Sequence, residues 1–352
     1  MAVPCRGLRF LSNLIRFIPR TVFISLTVIF IIHIDIGINS SKSFTAPYAS
    51  SFTGLSSNEE VIKILFTLVA LGNDSPNDGI ALDNLNAAIA MGKNSGGRYK
   101  VDCLIFSYAS YPGSQVVHDM KTQGLLDREN STTPACEILT MFEMSYVGWL
   151  KLLMPSLLRT ADYKYLFISI DDVALTPKYG ASCDLMRFFD IVESHQLEMA
   201  SCAIEGTPHM HLRPQEEVSP GQIGRLVNMI EIQATAFKSN AWECMHELVD
   251  TEYPGGWGLD VWFWNYCADR KVNNMWRMGV IDTMKVVHDP LGQGSRNNWR
   301  NPKGLMKAQE QRWSQIRGIG LRRNYGRTIS ILYDIPETGD IMMLQINETG
   351  KN

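Results

Sequence analysis

Three apolar runs, spaced so that helices fit between them, constrain this chain most. "VIKILFTLVALG" (Val61 to Gly72), "VDCLIFSYAS" from Val101 and "YKYLFISIDDVAL" (Tyr163 to Leu175) are nearly unbroken in apolar residues. That is the pattern of strands buried on both faces of a parallel sheet. A helix is expected over Ile80 to Met91, and "EILTMFEMSYVGWLKLLMPSLLRTA" from Glu137 is helical in period. Strand, helix, strand, helix, strand at this spacing predicts an α/β domain with a mostly parallel sheet. Ligands of such sheets bind beyond the carboxyl ends of the strands. Asp171 and Asp172 close the third run, so they stand where a ligand is expected.

Further along, "LMRFFDIVESHQ" reads as a helix, "MASCAI" as a short strand and "HMHLRPQEEVSPGQIGR" as a polar loop. "VNMIEIQATAFK" from Val227 reads as one strand, and "NAWECMHELVD" as a helix capped by Asn240. A helix through Cys267 and a strand "GVIDTMKVVHD" ending at His288 follow. The last strand-like pieces, "TISILYDI" and "DIMMLQI", are expected to pair as a hairpin. No internal repeat and no second domain are visible.

The amino terminus has a different character. Its first 34 residues hold Arg6, Arg9, Arg16 and Arg20 but no acid, and "TVFISLTVIFIIHIDIGI" (Thr21 to Ile38) follows. Eighteen helical residues span roughly 27 Å at roughly 1.5 Å each, enough for a thin bilayer. Basic before and neutral after keeps the amino terminus cytosolic and translocates the rest. The first expectation is therefore one transmembrane signal anchor; a cleaved signal peptide and an organelle transit peptide are the alternatives. The stretch "NSSKSFTAPYASSFTGLSS" reads as a stem. The resulting division is a cytosolic tail over 1–20, an anchor over 21–38, a stem over 39–58, a catalytic domain over 59–300 and a basic extension over 301–352.

Cysteine usage agrees with that topology. Cys5 falls on the cytosolic side, and Cys103, Cys136, Cys183, Cys202, Cys244 and Cys267 remain, an even number that allows up to three disulfides. Buried free thiols are the competing reading. No pair has the close spacing of a zinc or redox motif. Sequons at Asn73, Asn130 and Asn347 fit a secretory location. The net charge of −3 offers no overall ground for binding nucleic acid. Between Leu291 and Thr328, however, nine Lys or Arg face a single acid, Glu310. That stretch is either a solvated basic face or a site for a phosphate-bearing ligand.

Few residues are candidates for chemistry. Adjacent Asp171 and Asp172 repel each other unless a cation or a proton intervenes. Mg²⁺ or Mn²⁺ suits one or two carboxylates completed by phosphate oxygens of a substrate. The plainer account is a turn in which one Asp caps the next segment. His288 ends a neighbouring strand and is either a third ligand or a surface residue. His209 and His211 are too few for zinc by themselves. In "GGWGLDVWFW", Trp257 offers a flat face to a sugar ring and Asp260 a base for a hydroxyl proton; the structural alternative is that Asp260 caps a helix. Trp262 and Trp264 are assigned to the core.

The order of these features resembles a plant and algal family of glycosyltransferase-like proteins, the domain of unknown function 707 family, and more distantly nucleotide-sugar transferases of the GT-A fold. The likeness covers roughly 60–300 and is most specific in "GWGLDVWFWNYCADRKVNNMWRMGVIDTMKVVHD". It implies a GT-A-like (Rossmann-like) three-layer α/β/α domain. It implies that Asp172 binds the metal of a metal–nucleotide-sugar complex with Asp171 beside it, that His288 is a further ligand, and that Asp260 faces the acceptor or acts as base. Trp257 and Glu231 then line the acceptor side, and Arg296 of the basic stretch meets the donor diphosphate. The implied function is a single-pass type II glycosyltransferase of the Golgi or endoplasmic reticulum membrane. It would use Mn²⁺ or Mg²⁺ to move a sugar from a nucleotide-sugar donor to a glycan or glycoprotein acceptor.

The family usually writes the strand end as Asp-x-Asp, whereas Ile170 holds the first of those positions here. That departure keeps open a non-catalytic carbohydrate-binding or scaffolding member. A metal-dependent phosphohydrolase of the haloacid-dehalogenase type is disfavoured, because Val173 stands where its second acid belongs.

Overall fold

The computed structural model describes residues 60–71, 77–107, 136–140, 146–251, 258–267, 276–292 and 326–334, with isolated positions at 118–119, 122, 307–308, 311–312 and 314–315. Met1–Asn58 and Glu59–Asn352 separate as two units, and the described residues all belong to the second. Among them no helix is long and apolar enough to cross a membrane. The anchor expected over 21–38 lies outside the described residues, as does "DIMMLQI".

Ten strands form one sheet: β1 (Ile62–Leu71), β2 (Tyr99–Ser107), β3 (Cys136–Thr140), β4 (Tyr165–Ile170), β5 (Val173–Ala174), β6 (Met199–Glu205), β7 (Gln222–Val227), β8 (Ala234–Lys238), β9 (Met278–His288) and β10 (Thr328–Tyr333). The order across the sheet is β10-β7-β9-β6-β8-β4-β1-β2-β3, with β5 paired to β9. β3-β2-β1-β4 is wholly parallel, as expected of buried runs joined by helices. The other half is not. β8 runs against both β4 and β6, β7 against β9, β10 against β7, and β5 against β9, leaving β6 and β9 as its one parallel pair. The expectation of a mostly parallel sheet is thus corrected to a mixed one. Apolar periodicity reports burial and carries no record of strand direction.

Among the described residues the α-helices are α1 (Asp78–Asn94), α2 (Tyr146–Leu152), α3 (Pro155–Thr160), α4 (Leu185–Ser194), α5 (Ser239–Leu248) and α6 (Leu259–Cys267). They cover both faces, as register shows. Phe66 pairs with Phe167, and on that face Phe167 packs against Phe188 and Phe189 of α4. Leu166 points the other way and pairs with Phe237, which packs against Trp242 of α5. On the same second face Phe106 packs on Trp149 of α2. Burial of each such ring contributes about 1.5–3 kcal/mol.

Other expectations need revision. "EILTMFEMSYVGWLKLLMPSLLRTA" begins as an edge strand, because Cys136 lies opposite Cys103 in register and the two are disulfide-bonded. Pro155 then opens a new helix after Met154. "VNMIEIQATAFK" is not one strand either. It leaves β7 at Val227, turns through 228–233 and re-enters the sheet as β8. β10 pairs with β7. Asn240 lies inside α5, whose cap position is Lys238. The six candidate cysteines form three disulfides: Cys103–Cys136, Cys183–Cys202 and Cys244–Cys267.

Candidate active site

Strand direction brings the candidate residues to one edge. β4, β6 and β9 run the same way, since β8 is antiparallel to β4 and β6 and β6 is parallel to β9. Asp171 and Asp172 after β4, Thr207 and His209 after β6, and His288 at the end of β9 therefore meet at their shared carboxyl edge. β8 runs the opposite way, so Glu231, just before it, reaches the same edge. The Ile170 N–H donates to the Gln233 carbonyl at 2.9 Å and joins the acid turn to the Glu231 turn.

Asp171 and Asp172 form the tight turn between β4 and β5. Asn84 of α1, fully buried, holds the strand that follows. Its Nδ2 donates to the Val173 carbonyl at 2.6 Å, and its Oδ1 accepts from the Leu175 N–H at 2.9 Å. β5 then pairs Val173 with His288, and the Asp289 N–H donates to the Asp172 carbonyl at 2.8 Å. Asp289 adopts φ +50, a left-handed conformation uncommon for a residue with a Cβ. Gly206, at φ +91, lies so close that an added Cβ would sit 2.7 Å from the His288 carbonyl oxygen. Only glycine fits there.

In this frame His288 Nε2 lies 3.6 Å from Asp172 Oδ2. Hydrogen bonding to Asp172, against the opposing effect of burial, raises the proton affinity of His288 above the ordinary imidazole value. Asp172 Oδ1 is buried and has no hydrogen-bond partner. Burial first, then the neighbouring Asp172 charge, pushes Asp171 well above the usual carboxylate range. Ile170 packs against the core and gives the site no oxygen.

These residues fit a hard divalent cation. An orphaned buried carboxylate oxygen, a second acid that resists ionisation and an imidazole nearby all gain from positive charge at this place. Among the described residues no group of three or more His, Cys, Asp or Glu could hold an ion by itself.

The second cluster was only partly foreseen. Thr207 Oγ1 donates to Glu231 Oε2 at 2.6 Å, and His209 Nε2 lies 3.3 Å from Glu231 Oε1. The His209 N–H donates back to Thr207 Oγ1 at 3.1 Å. Burial works against the Glu231 charge, yet the bonds from His209 and Thr207 outweigh it, and its proton affinity falls below the ordinary value. His209 rises above its ordinary value, chiefly through Glu231. His211, with its ring centroid 5.9 Å from that of His209, is pushed down by burial to about 4. The two histidines thus differ in proton affinity, His209 through its bond to Glu231 and His211 through burial. Thr207 escaped sequence reading; its signal was its place in "EGTPH", directly after a strand parallel to the acid-bearing one.

Asp260 of α6 lies within electrostatic reach of this cluster. The disulfide Cys244–Cys267 and the bond from Tyr266 Oη to Glu247 Oε2 at 2.7 Å tie α6 to α5. Asp260 is not the helix cap. It lies in the first turn, after Gly258 at φ +87, whose carbonyl accepts from the Trp262 N–H, and its own Oδ1 accepts from the Val261 N–H at 2.9 Å. Burial and the Glu231 charge raise Asp260 to about 6, while His209 pulls in the other direction. A half-buried carboxylate poised near neutrality suits general base chemistry. Trp262 is buried and Trp264 packs against the core as expected. Trp257 and Arg296 lie outside the described residues.

No curated protein matches the sequence. Among solved structures the chain is similar to S. aureus TarS 1–349, at 8% identity and TM-score 0.40 over 72% of this chain and 73% of that one. It is also similar to the inositol-1-phosphate CTP transferase from T. maritima, at 10% identity and TM-score 0.32 over 72% and 98% of the two chains. Mouse xyloside xylosyltransferase 1 in its apo form is similar at 13% identity and TM-score 0.30 over 62% and 78%. These likenesses are loose in both sequence and superposition. The family described as "Protein of unknown function (DUF707)" matches residues 149–322, a span that holds Asp171, Asp172, His209, Glu231, Asp260 and His288.

Proposed function

We propose that this chain is a metal-dependent glycosyltransferase that takes its sugar from a nucleotide-sugar donor. One observation carries the reading: at the carboxyl edge of the sheet Asp172 keeps a buried oxygen with no partner, beside His288 and Asp171. Asp172 and His288 would hold Mn²⁺ or Mg²⁺, with Asp171 alongside. When bound, the ion supplies positive charge to a departing diphosphate. Asp260 takes the proton of the acceptor hydroxyl, and Glu231 stands on the same side. Arg296 is the proposed contact for the diphosphate and Trp257 the proposed face for the acceptor sugar.

Three disulfides are expected of an oxidising compartment and support placement of residues 59–352 in the lumen of the Golgi or endoplasmic reticulum, behind the 21–38 anchor. The acceptor is then a glycan or glycoprotein. Ile170 favours a second reading, a carbohydrate-binding or scaffolding member without catalysis, since one oxygen of the family pattern is missing. The test is Mn²⁺-dependent hydrolysis of a panel of nucleotide sugars by the full-length protein and by Asp172→Ala. Hydrolysis of at least one donor that disappears in the variant is expected. Absence of both binding and turnover with every donor sinks the enzyme and leaves the second reading.

A further inference from the structure

A buried ion pair lies outside the site and is bonded into it. Asp282 of β9 and Arg225 of β7 face each other at 3.1 Å, with side chains 0% and 5% exposed. The two strands come this close because Gly224 has no side chain: a Cβ there would sit 2.3 Å from the Val280 carbonyl oxygen. β9 also changes register against β6 between Ile281 and Lys285, the interval that holds Asp282. Taking two charges out of water is costly, and apolar residues of similar volume often serve stability as well or better. Stability alone does not account for the pair.

Its bonds lead to the acceptor side. Arg225 Nη2 donates to the Arg213 carbonyl at 2.5 Å. Gln222 Nε2 donates to Asp282 Oδ2 at 3.4 Å and to Gln215 Oε1 at 2.6 Å. One carboxylate thus orients two donors, and each donor fastens one residue of the loop that follows β6. From Arg213 the bonds continue. Its Nε donates to the Thr207 carbonyl at 2.8 Å, Thr207 Oγ1 donates to Glu231 Oε2 at 2.6 Å, and the His209 N–H donates to Thr207 Oγ1 at 3.1 Å. Each step from β9 to the Glu231 carboxylate is an ion pair or a hydrogen bond between named atoms, or the length of one side chain.

We propose that Asp282 is a positioning residue for the acceptor. Through Arg225 and Gln222 it holds the 207–215 loop, and with it His209 and Glu231, in the place where the acceptor sugar lies. The proposal rests on the reading of Glu231 as lining the acceptor side. The bonds bypass Asp172 and His288, so the acceptor and donor halves of the site respond differently when the brace is removed.

That difference is the test. Arg225→Met combined with Asp282→Leu replaces the pair by apolar side chains of similar size and leaves no lone buried charge, so the protein is expected to fold. Hydrogen exchange in the full-length variant is expected to quicken about tenfold over 207–215, the net worth of about one hydrogen bond, while β1 and β4 keep their protection. Kinetics use the donor that the nucleotide-sugar panel yields and a panel of p-nitrophenyl glycosides as acceptors. The acceptor KM is expected to rise about tenfold, with donor hydrolysis in the absence of acceptor and Mn²⁺ affinity unchanged. Arg213→Ala cuts the relay at an exposed residue, leaves the buried pair intact and is expected to give the same split. Unchanged exchange over 207–215 in the double variant, an acceptor KM that does not move, or an equal loss of donor hydrolysis and transfer overturns the proposal. If the unaltered protein turns over no donor, the transferase reading fails, and the exchange measurement still decides whether Asp282 holds the loop.

Discussion

The site holds two carboxylate–imidazole pairs that differ in one respect. Glu231 faces His209 and has its other oxygen satisfied by Thr207; Asp172 faces His288 and has its other oxygen buried and bare. The first pair is closed and the second is open. A closed pair is a fixed charge that tunes a neighbour, whereas an open one is unfavourable until something positive arrives. Residue identities alone, one acid and one histidine each, do not separate the two. The bond made by a buried threonine does.

The comparison breaks most visibly at the open pair. Asp172→Ala should reduce kcat/KM for donor hydrolysis by about 100- to 1,000-fold, as loss of a leading electrostatic group does. The corresponding change in the closed pair, Glu231→Gln, should cost far less in rate at the optimum and act on the pH profile. His288→Ala should weaken Mn²⁺ affinity by about 10–100-fold, measured by calorimetry. An unchanged affinity would remove His288 from the open pair.

Effects on the frame are smaller. Asn84→Ala strips partners from the Val173 carbonyl and the Leu175 N–H, which should lower unfolding stability by about 1–3 kcal/mol in a denaturant titration. Gly206→Ala places a Cβ against the His288 carbonyl at a left-handed position and should cost about 1–3 kcal/mol, with a weaker Mn²⁺ response than its stability loss alone explains. The pH profile is the finest test. Asp260 binds its proton near pH 6, so activity should be lost as pH falls through that value, when the base becomes protonated, and should be retained above it. A limb near pH 4 would mean that Asp260 behaves as an ordinary exposed carboxylate.

What could be read from the sequence follows the same division. β1, β2 and β4 are largely buried, and nearly continuous apolar runs announced them, while β9 showed as the more mixed "GVIDTMKVVHD"; Asp171, Asp172 and His288 were found because they stand at the ends of such strands. The closed pair was harder to see. Glu231 lay hidden inside what looked like one long strand, since the turn over 228–233 is nearly as apolar as the strands around it and its break is made by tertiary bonds such as Thr235 Oγ1 to the Glu231 carbonyl at 2.7 Å. His209 had only its spacing from His211 to recommend it, and that spacing pointed to metal. Asp260 was found through its glycine-rich neighbourhood, but its place in the first turn of the helix follows the positive φ of Gly258. Strand direction escaped altogether, and it is strand direction that carries Glu231 to the edge where Asp172 lies.

The central claim is that the bare oxygen of Asp172 belongs to a divalent cation shared with a nucleotide. Calorimetric titration of Mn²⁺ into the full-length protein, with and without a nucleoside diphosphate, tests it most directly. The account predicts weak binding of Mn²⁺ alone, clearly tighter binding when the diphosphate is present, and loss of that enhancement in Asp172→Ala. Equal Mn²⁺ binding with and without the diphosphate, or an enhancement that survives in Asp172→Ala, would contradict it.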